Sequence, residues 1–163
     1  MLSAAAAHRG TSFVEIYQNC PIFNDGAFDA IKNPDTKADA IIPLVHGEPI
    51  RFGVEGSKGL VRDPVGGGVK VVEVGSGHGQ VAEDALIVHD AHNEDPTTAF
   101  AISRLTDSGY LNQSPIGIFR QVDRPTYDDQ ARGQIHTAHA AAPGDPTDRL
   151  AGLISGGDTW TVV

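Results

Sequence analysis

The chain has 163 residues with an apolar share of 40%, enough for one core, while 19 Gly and 10 Pro imply many turns and short elements. Twelve Lys and Arg against 21 Asp and Glu give a formal net charge of -9, which repels phosphate backbones and anionic lipid and argues against nucleic acid or membrane partners. No stretch approaches the ~20 apolar residues of a membrane span, and one cysteine cannot form an internal disulfide. The expectation is a loop-rich, soluble, cytoplasmic α/β piece.

Residues 2–8 are mostly Ala and Leu and predict a helix, with Gly10 placed for a left-handed cap. The run lacks a basic residue before it and is too short for a signal peptide. Ser12-Phe13-Val14-Glu15-Ile16-Tyr17 has the β-branched and aromatic content of a strand. A parallel strand here needs neighbours that nothing earlier in the chain supplies, so the sequence reads as starting in the middle of a fold.

Beyond Cys20-Pro21, the turn signal Phe23-Asn24-Asp25-Gly26 leads to a short helix at 27–32 that Asn33-Pro34 ends. From 40 to 74 short extended runs succeed one another: Ile41-Ile42, Pro49-Ile50-Arg51-Phe52, Gly59-Leu60-Val61-Arg62 and Val69-Lys70-Val71-Val72-Glu73-Val74, with Gly66-Gly67-Gly68 as a hairpin loop between the last two. Alternation of strand and helix then returns. Ala85-Leu86-Ile87-Val88-His89 reads as a strand, Asp95-Pro96 as the cap before a helix at 97–106, and Ile116-Gly117-Ile118-Phe119 as another strand. Thr126-Tyr127-Asp128-Asp129 is a capping box with Asp in place of Glu, opening a helix to about Ala141. Asp145-Pro146 starts a last short helix that Gly156-Gly157 ends, ahead of Asp158-Thr159-Trp160-Thr161-Val162.

The contiguous run from Gly10 through Tyr17-Gln18-Asn19-Cys20-Pro21-Ile22-Phe23-Asn24-Asp25-Gly26 resembles the beta subunit of 2-oxoacid:ferredoxin oxidoreductases, closest to the 2-oxoglutarate type. His46-Gly47-Glu48-Pro49-Ile50-Arg51-Phe52-Gly53, Lys58-Gly59 and Ser155-Gly156-Gly157-Asp158-Thr159-Trp160 resemble that subunit's carboxy-terminal extension, in the same order. The resemblance implies the last helix and strand of a doubly wound thiamine-diphosphate-binding domain over 1–23, then a mixed α/β carboxy-terminal extension over 24–163 with a small antiparallel hairpin region.

The activity it implies is oxidative decarboxylation of a 2-oxoacid, 2-oxoglutarate preferred, onto coenzyme A, with electrons passed to ferredoxin. Thiamine diphosphate, magnesium and a 4Fe-4S cluster serve the complete enzyme. The implied partners are the alpha subunit, the amino-terminal half of the beta subunit and ferredoxin. The family's Gly-Asp-Gly thiamine diphosphate signature is absent from the chain, so no cofactor is expected to bind it alone, no catalytic residue is assigned, and the isolated chain is expected to be inactive. Cys20, in a Cys-Pro-x-Phe-Asn context, resembles the fourth ligand of the cluster. Iron-sulfur clusters are held by thiolates, and the carboxyl ends of strands face the ligand crevice of an α/β sheet. The plainer reading of a lone cysteine is a small buried hydrophobe.

Two other function classes stand beside this one. Val71-Val72-Glu73-Val74-Gly75-Ser76-Gly77-His78-Gly79 matches the glycine loop of S-adenosylmethionine-dependent methyltransferases, yet only Gln80 to Asp84 separate it from the next extended run, and a parallel crossover takes a dozen residues or more. A free-standing interaction module requires a chain with no apolar patch where sheet neighbours belong. His89-Asp90-Ala91-His92 has metal-ligand residue types at a turn, and His136 and His139 share a helix face. Turn chemistry and a solvated face account for these more simply. Asp123, Asp128 and Asp129 read as helix-start charges.

Overall fold

The computed structural model describes residues 1–108, 111–156, 160 and 162. The chain forms two compact units, Met1–Asp123 and Arg124–Val163. The first contains α1 (Leu2–Ala7), α2 (Asp29–Lys32), α3 (Lys37–Ala40), β1 (Ile41–Leu44), β2 (Arg51–Phe52), β3 (Lys58–Arg62), β4 (Val69–Glu73), α4 (Thr97–Ser103) and β5 (Ser114–Gly117). The second contains α5 (Tyr127–Ala141) and α6 (Pro146–Ser155).

The first unit is mixed α/β. β1 pairs with β5 in parallel, Ile41 opposite Ser114 through Leu44 opposite Gly117, and β2-β3-β4 form an antiparallel sheet. Between β3 and β4 the loop turns as its glycines predict: Asp63 N–H donates to Gly68 O at 2.9 Å, Gly67 N–H to Asp63 O at 3.1 Å, and Gly67 has φ +68°. Ile42, Leu44, Ile50, Phe52, Leu60, Ile87 and Ile102 form the core, with Val69 and Val71 of β4 packed against it.

Three of these buried residues exchange backbone hydrogen bonds in a closed ring. Ile50 N–H donates to Ile87 O at 2.8 Å, Ile87 N–H to Leu60 O at 2.8 Å, and Leu60 N–H to Ile50 O at 3.1 Å. The ring joins β3 to the segments before β2 and after residue 85, and it satisfies polar groups that would otherwise be buried unpaired.

Two predicted strands take another form. Residues 85–89 are one end of a 3-10 turn (Glu83–Ala85) and then extended chain, with a single bridge of Val88 to Pro49. The segment is apolar because Leu86 and Ile87 are buried, and it lies along residues 47–50, with Gly47 N–H donating to His89 O at 2.8 Å, His89 N–H to Glu48 O at 2.9 Å and Ile50 N–H to Ile87 O at 2.8 Å. Residues 12–17 belong to no helix or strand. Phe13 is 91% exposed and Ile16 69%, so this run has the composition of a buried strand and joins no sheet among the described residues. The helix before it stops at Ala7, with His8 extended as its cap, and Gly10 at φ +135° is not a left-handed cap.

Elsewhere the local signals hold. Asn33 ends α2 in an extended conformation. α3, a single turn that no cap or periodicity marks in the sequence, fills the space between Thr36 and β1 and buries Ala40. β5 begins two residues earlier than predicted, at Ser114. Asp95 accepts from Thr97 N–H at 2.9 Å, and α4 begins at Thr97 as predicted, with Pro96 in place of Asp95 at the cap position, passing into a 3-10 turn (Arg104–Ser108).

In the second unit, Thr126 caps α5 by accepting from Asp129 N–H at 3.2 Å. Asp145 caps α6 by accepting from Thr147 N–H at 2.7 Å, with Pro146 at the first helical position and Gly156 left-handed at the end. Residues 157–159 and 161 of the carboxy-terminal motif lie outside the described residues.

Gly59 sits under Leu86: a Cβ there would lie 2.6 Å from Leu86 Cδ2. Gly59→Ala is expected to destabilise the first unit by about 1–3 kcal/mol through overpacking, read as a lower urea midpoint. Asp145→Ala is expected to weaken α6 by removing its cap, read as lost helicity. The Thr147 contacts hold the Asp145 carboxyl below its ordinary range. Its capping contribution is therefore present above the unfolded carboxyl's pKa and fades as pH falls through the lower folded value.

Candidate functional site

Cys20 opens a tight turn. Asn24 N–H donates to Cys20 O at 2.9 Å, closing the loop over Pro21, Ile22 and Phe23. The base is clamped by side chains: Asn19 Nδ2–H donates to Asp25 Oδ1 at 2.9 Å, and Gly26 N–H donates to Asn19 Oδ1 at 3.1 Å and to Asp25 Oδ1 at 3.0 Å. Gly26 adopts φ +76°, which a residue with a Cβ takes only with strain. Tyr17, just before the turn, stacks on Phe28, just after it, with ring centroids 5.2 Å apart.

The turn brings the backbone of Ile22, Phe23 and Asn24 beside Cys20. Hydrogen bonds from the backbone of Phe23, Ile22 and Asn24 hold the Cys20 thiol below the usual thiol range, against a smaller opposing effect of desolvation. Cys20 is half-buried and unpaired, while Ile22 is 84% and Phe23 89% exposed beside it. This is not the inert buried environment of a structural cysteine. Converging N–H groups favour a thiolate, the form that binds iron and zinc.

The remaining histidines and carboxylates are placed by turn and cap chemistry. Asp90 accepts from His92 N–H at 2.9 Å, the local turn expected of that run. His46 Nδ1 accepts from Ala91 N–H at 3.2 Å, lies 3.5 Å from Asp90 Oδ1, and its ring meets His92 edge-on at 4.5 Å. Since His92 Nδ1 donates to Gln121 O at 2.7 Å and His89 Nε2 to Ile118 O at 2.8 Å, these rings tie residues 89–92 to residues 118–121. The approach of His46 to Asp90 spans 44 positions and left no signal in the sequence. His136 and His139 are exposed on α5, Asp129 serves the α5 cap, and Asp123 lies 3.9 Å from His8. Among the described residues no three His, Cys, Asp or Glu are grouped to hold a metal ion.

The glycine loop at 75–79 closes on a side chain of its own. Gln80 Oε1 accepts from Gly77 N–H at 2.7 Å and occupies the space that a Cβ on Gly75 or Gly77 would enter. Val81 then bridges to Val74, and the chain passes into the 3-10 turn at Glu83–Ala85. The crossover helix that a methyltransferase loop requires is not formed there.

The chain is 48% identical over 162 residues to the 2-oxoglutarate oxidoreductase subunit KorB of Mycobacterium tuberculosis. The chain is a relative of a 2-oxoglutarate oxidoreductase subunit. That oxidoreductase likeness covers 99% of this chain and 41% of the relative's length, so the resemblance read from residues 10–26, 46–53 and 155–160 runs along the whole chain. No family model matches the chain. No solved structure matches it either.

The donors around Cys20 predict its reactivity. Alkylation by iodoacetamide is expected to reach half its limiting rate at a lower pH than for glutathione, because the thiolate persists to lower pH. An equal or higher midpoint would contradict the turn geometry.

Proposed function

We propose that this chain acts as the carboxy-terminal part of the beta subunit of a 2-oxoacid:ferredoxin oxidoreductase, with 2-oxoglutarate as its preferred substrate. Residues 1–23 complete the thiamine-diphosphate-binding domain, and residues 24–163 form the beta-subunit extension. The observation that carries this reading is the identity along 99% of the chain to an oxidoreductase subunit of which it spans 41%.

The exposed run at 12–17 supports it, being a strand sequence whose Phe13 and Ile16 await neighbours. Further polypeptide of the same enzyme, together with the alpha subunit, supplies those neighbours. The same exposed run argues against a free-standing module, which would have no such patch.

The Cys20 turn fits a cluster ligand. Cys20 is half-buried, its thiol is held below the usual range by the neighbouring backbone of Phe23 and Ile22, and it lies a few residues beyond 12–17. A protein tunes a cluster's potential through hydrogen bonds to the ligand sulfurs, and here the Ile22, Phe23 and Asn24 backbone would act on Cys20. Cys20 would contribute one thiolate to a 4Fe-4S cluster, the other ligands coming from other polypeptide. In the assembled enzyme thiamine diphosphate, with magnesium, supplies carbanion stabilisation, the cluster supplies electron transfer towards ferredoxin, and coenzyme A accepts the acyl group. The isolated chain is inactive, since the Gly-Asp-Gly signature is absent from it.

The test is co-purification of this chain with the remaining oxidoreductase polypeptides, measuring iron, sulfide and visible absorbance, with Cys20→Ser in parallel. A stable complex is expected, with cluster absorbance reduced in Cys20→Ser. Absence of any complex would overturn the assembly reading. Undiminished absorbance in the variant would overturn the ligand role alone. Reduction of an electron acceptor that depends on a 2-oxoacid, seen with the purified chain by itself, would refute the claim that it is inactive alone.

A further inference from the structure

The Cys20 turn ends on a dipeptide with chemistry of its own. Asp25-Gly26 is the only Asp-Gly pair in the chain, and the sequence contains no Asn-Gly. A main-chain nitrogen that follows an aspartate can attack the side-chain carboxyl and close a five-membered imide. A side chain on the following residue ordinarily slows that closure by crowding the nitrogen. Here the turn requires glycine: Gly26 has φ +76°, and a Cβ on it would lie 3.0 Å from Asp29 Oδ2.

The fold brings the reacting groups together. Gly26 N lies 3.0 Å from Asp25 Oδ1, and the half-buried Asn19 carboxamide bridges the two. Asn19 Oδ1 accepts from Gly26 N–H at 3.1 Å, while Asn19 Nδ2–H donates to Asp25 Oδ1 at 2.9 Å. One amide therefore polarises the nucleophile's N–H bond and is placed to stabilise the negative charge that develops on Oδ1. Holding nucleophile and electrophile in one geometry raises the rate of such a closure. Asp25 is exposed, so water reaches the carboxyl and the imide that replaces it.

We propose that Asp25-Gly26 is a site of spontaneous backbone modification, at which the folded turn converts Asp25 to isoaspartate through a cyclic imide. A bond forms between Gly26 N and Asp25 Cγ. The Gly26 nitrogen proton and the hydroxyl of the protonated carboxyl leave as water. Water then adds to either imide carbonyl: opening at Cγ restores Asp25, and opening at the main-chain carbonyl gives isoaspartate, with an additional methylene in the backbone. The imide nitrogen carries no hydrogen, so both hydrogen bonds donated by Gly26 N–H are lost, and the clamp under the Cys20 turn goes with them. The modification needs no other polypeptide and is independent of the assembly reading above.

The test incubates the purified chain at mildly acidic pH, folded and in guanidinium chloride, and locates isoaspartate by electron-transfer fragmentation of its peptides. Isoaspartate is expected at residue 25 before any other aspartate of the folded chain, and at least as fast as in denaturant. Asn19→Ala is expected to slow the conversion in the folded chain and to leave it unchanged in denaturant. Asp25→Glu, whose longer side chain cannot close a five-membered imide, is expected to stay unmodified at residue 25. As isoaspartate accumulates, the pH midpoint of Cys20 alkylation is expected to move towards that of glutathione, because the turn that lowers it has opened.

Slower conversion in the folded chain than in denaturant would show that the clamp protects Asp25, and would overturn the proposal. Faster conversion in a folded Asn19→Ala chain would do the same. Should Asn19→Ala fail to fold, the comparison of the unaltered chain with and without denaturant decides alone. An unchanged Cys20 midpoint in fully converted chain would overturn the link between the modification and the thiol.

Discussion

The first unit depends on the hydrogen-bonded ring of Ile50, Leu60 and Ile87. Each of these residues is buried, and each donates to one of the others and accepts from the third. Burying a peptide group without a partner costs on the order of 1–3 kcal/mol, and here strands too short to form long ladders satisfy one another in a closed circuit. β2 has only two residues and could not hold its place by strand pairing alone. The ring fixes it and carries residues 85–89 across the core.

Outside that core, the apolar surface is distributed unevenly. Phe13, Ile16, Ile22 and Phe23 are exposed between residues 13 and 23, and Leu150, Leu153 and Ile154 are exposed on α6. Neither α5 nor α6 buries a residue. Single exposed apolar side chains are ordinary, but clusters of them mark surfaces that associate.

Signals that act within a few residues were legible in the sequence. Thr126 with Asp129, Asp145 with Pro146, and the glycines at 66–68 each specify a local backbone geometry, and the structure has it. The strand reading at 85–89 met an apolar segment hydrogen-bonded to residues 47–50, whereas residues 12–17 form no strand; a strand is a relation between two segments, and pairing is not encoded in either one alone. The candidate site divides in the same way. Cys20 could be singled out by its residue type and context. The N–H groups that converge on it belong to Ile22, Phe23 and Asn24 as backbone, with no side-chain signature to announce them. The glycines at 75–79 matched a ligand loop because glycine marks close approach of some group to the backbone; here the group is the Gln80 amide.

The central claim is that residues 12–17 are a strand completed by other polypeptide of the same enzyme. Amide hydrogen exchange of these residues, measured in the free chain and after assembly with the remaining oxidoreductase polypeptides, tests it most directly. Fast exchange in the free chain and strong protection in the assembly are predicted, because a central parallel strand exchanges only when its sheet opens. Fast exchange in both states, in a complex that has demonstrably formed, would contradict the account.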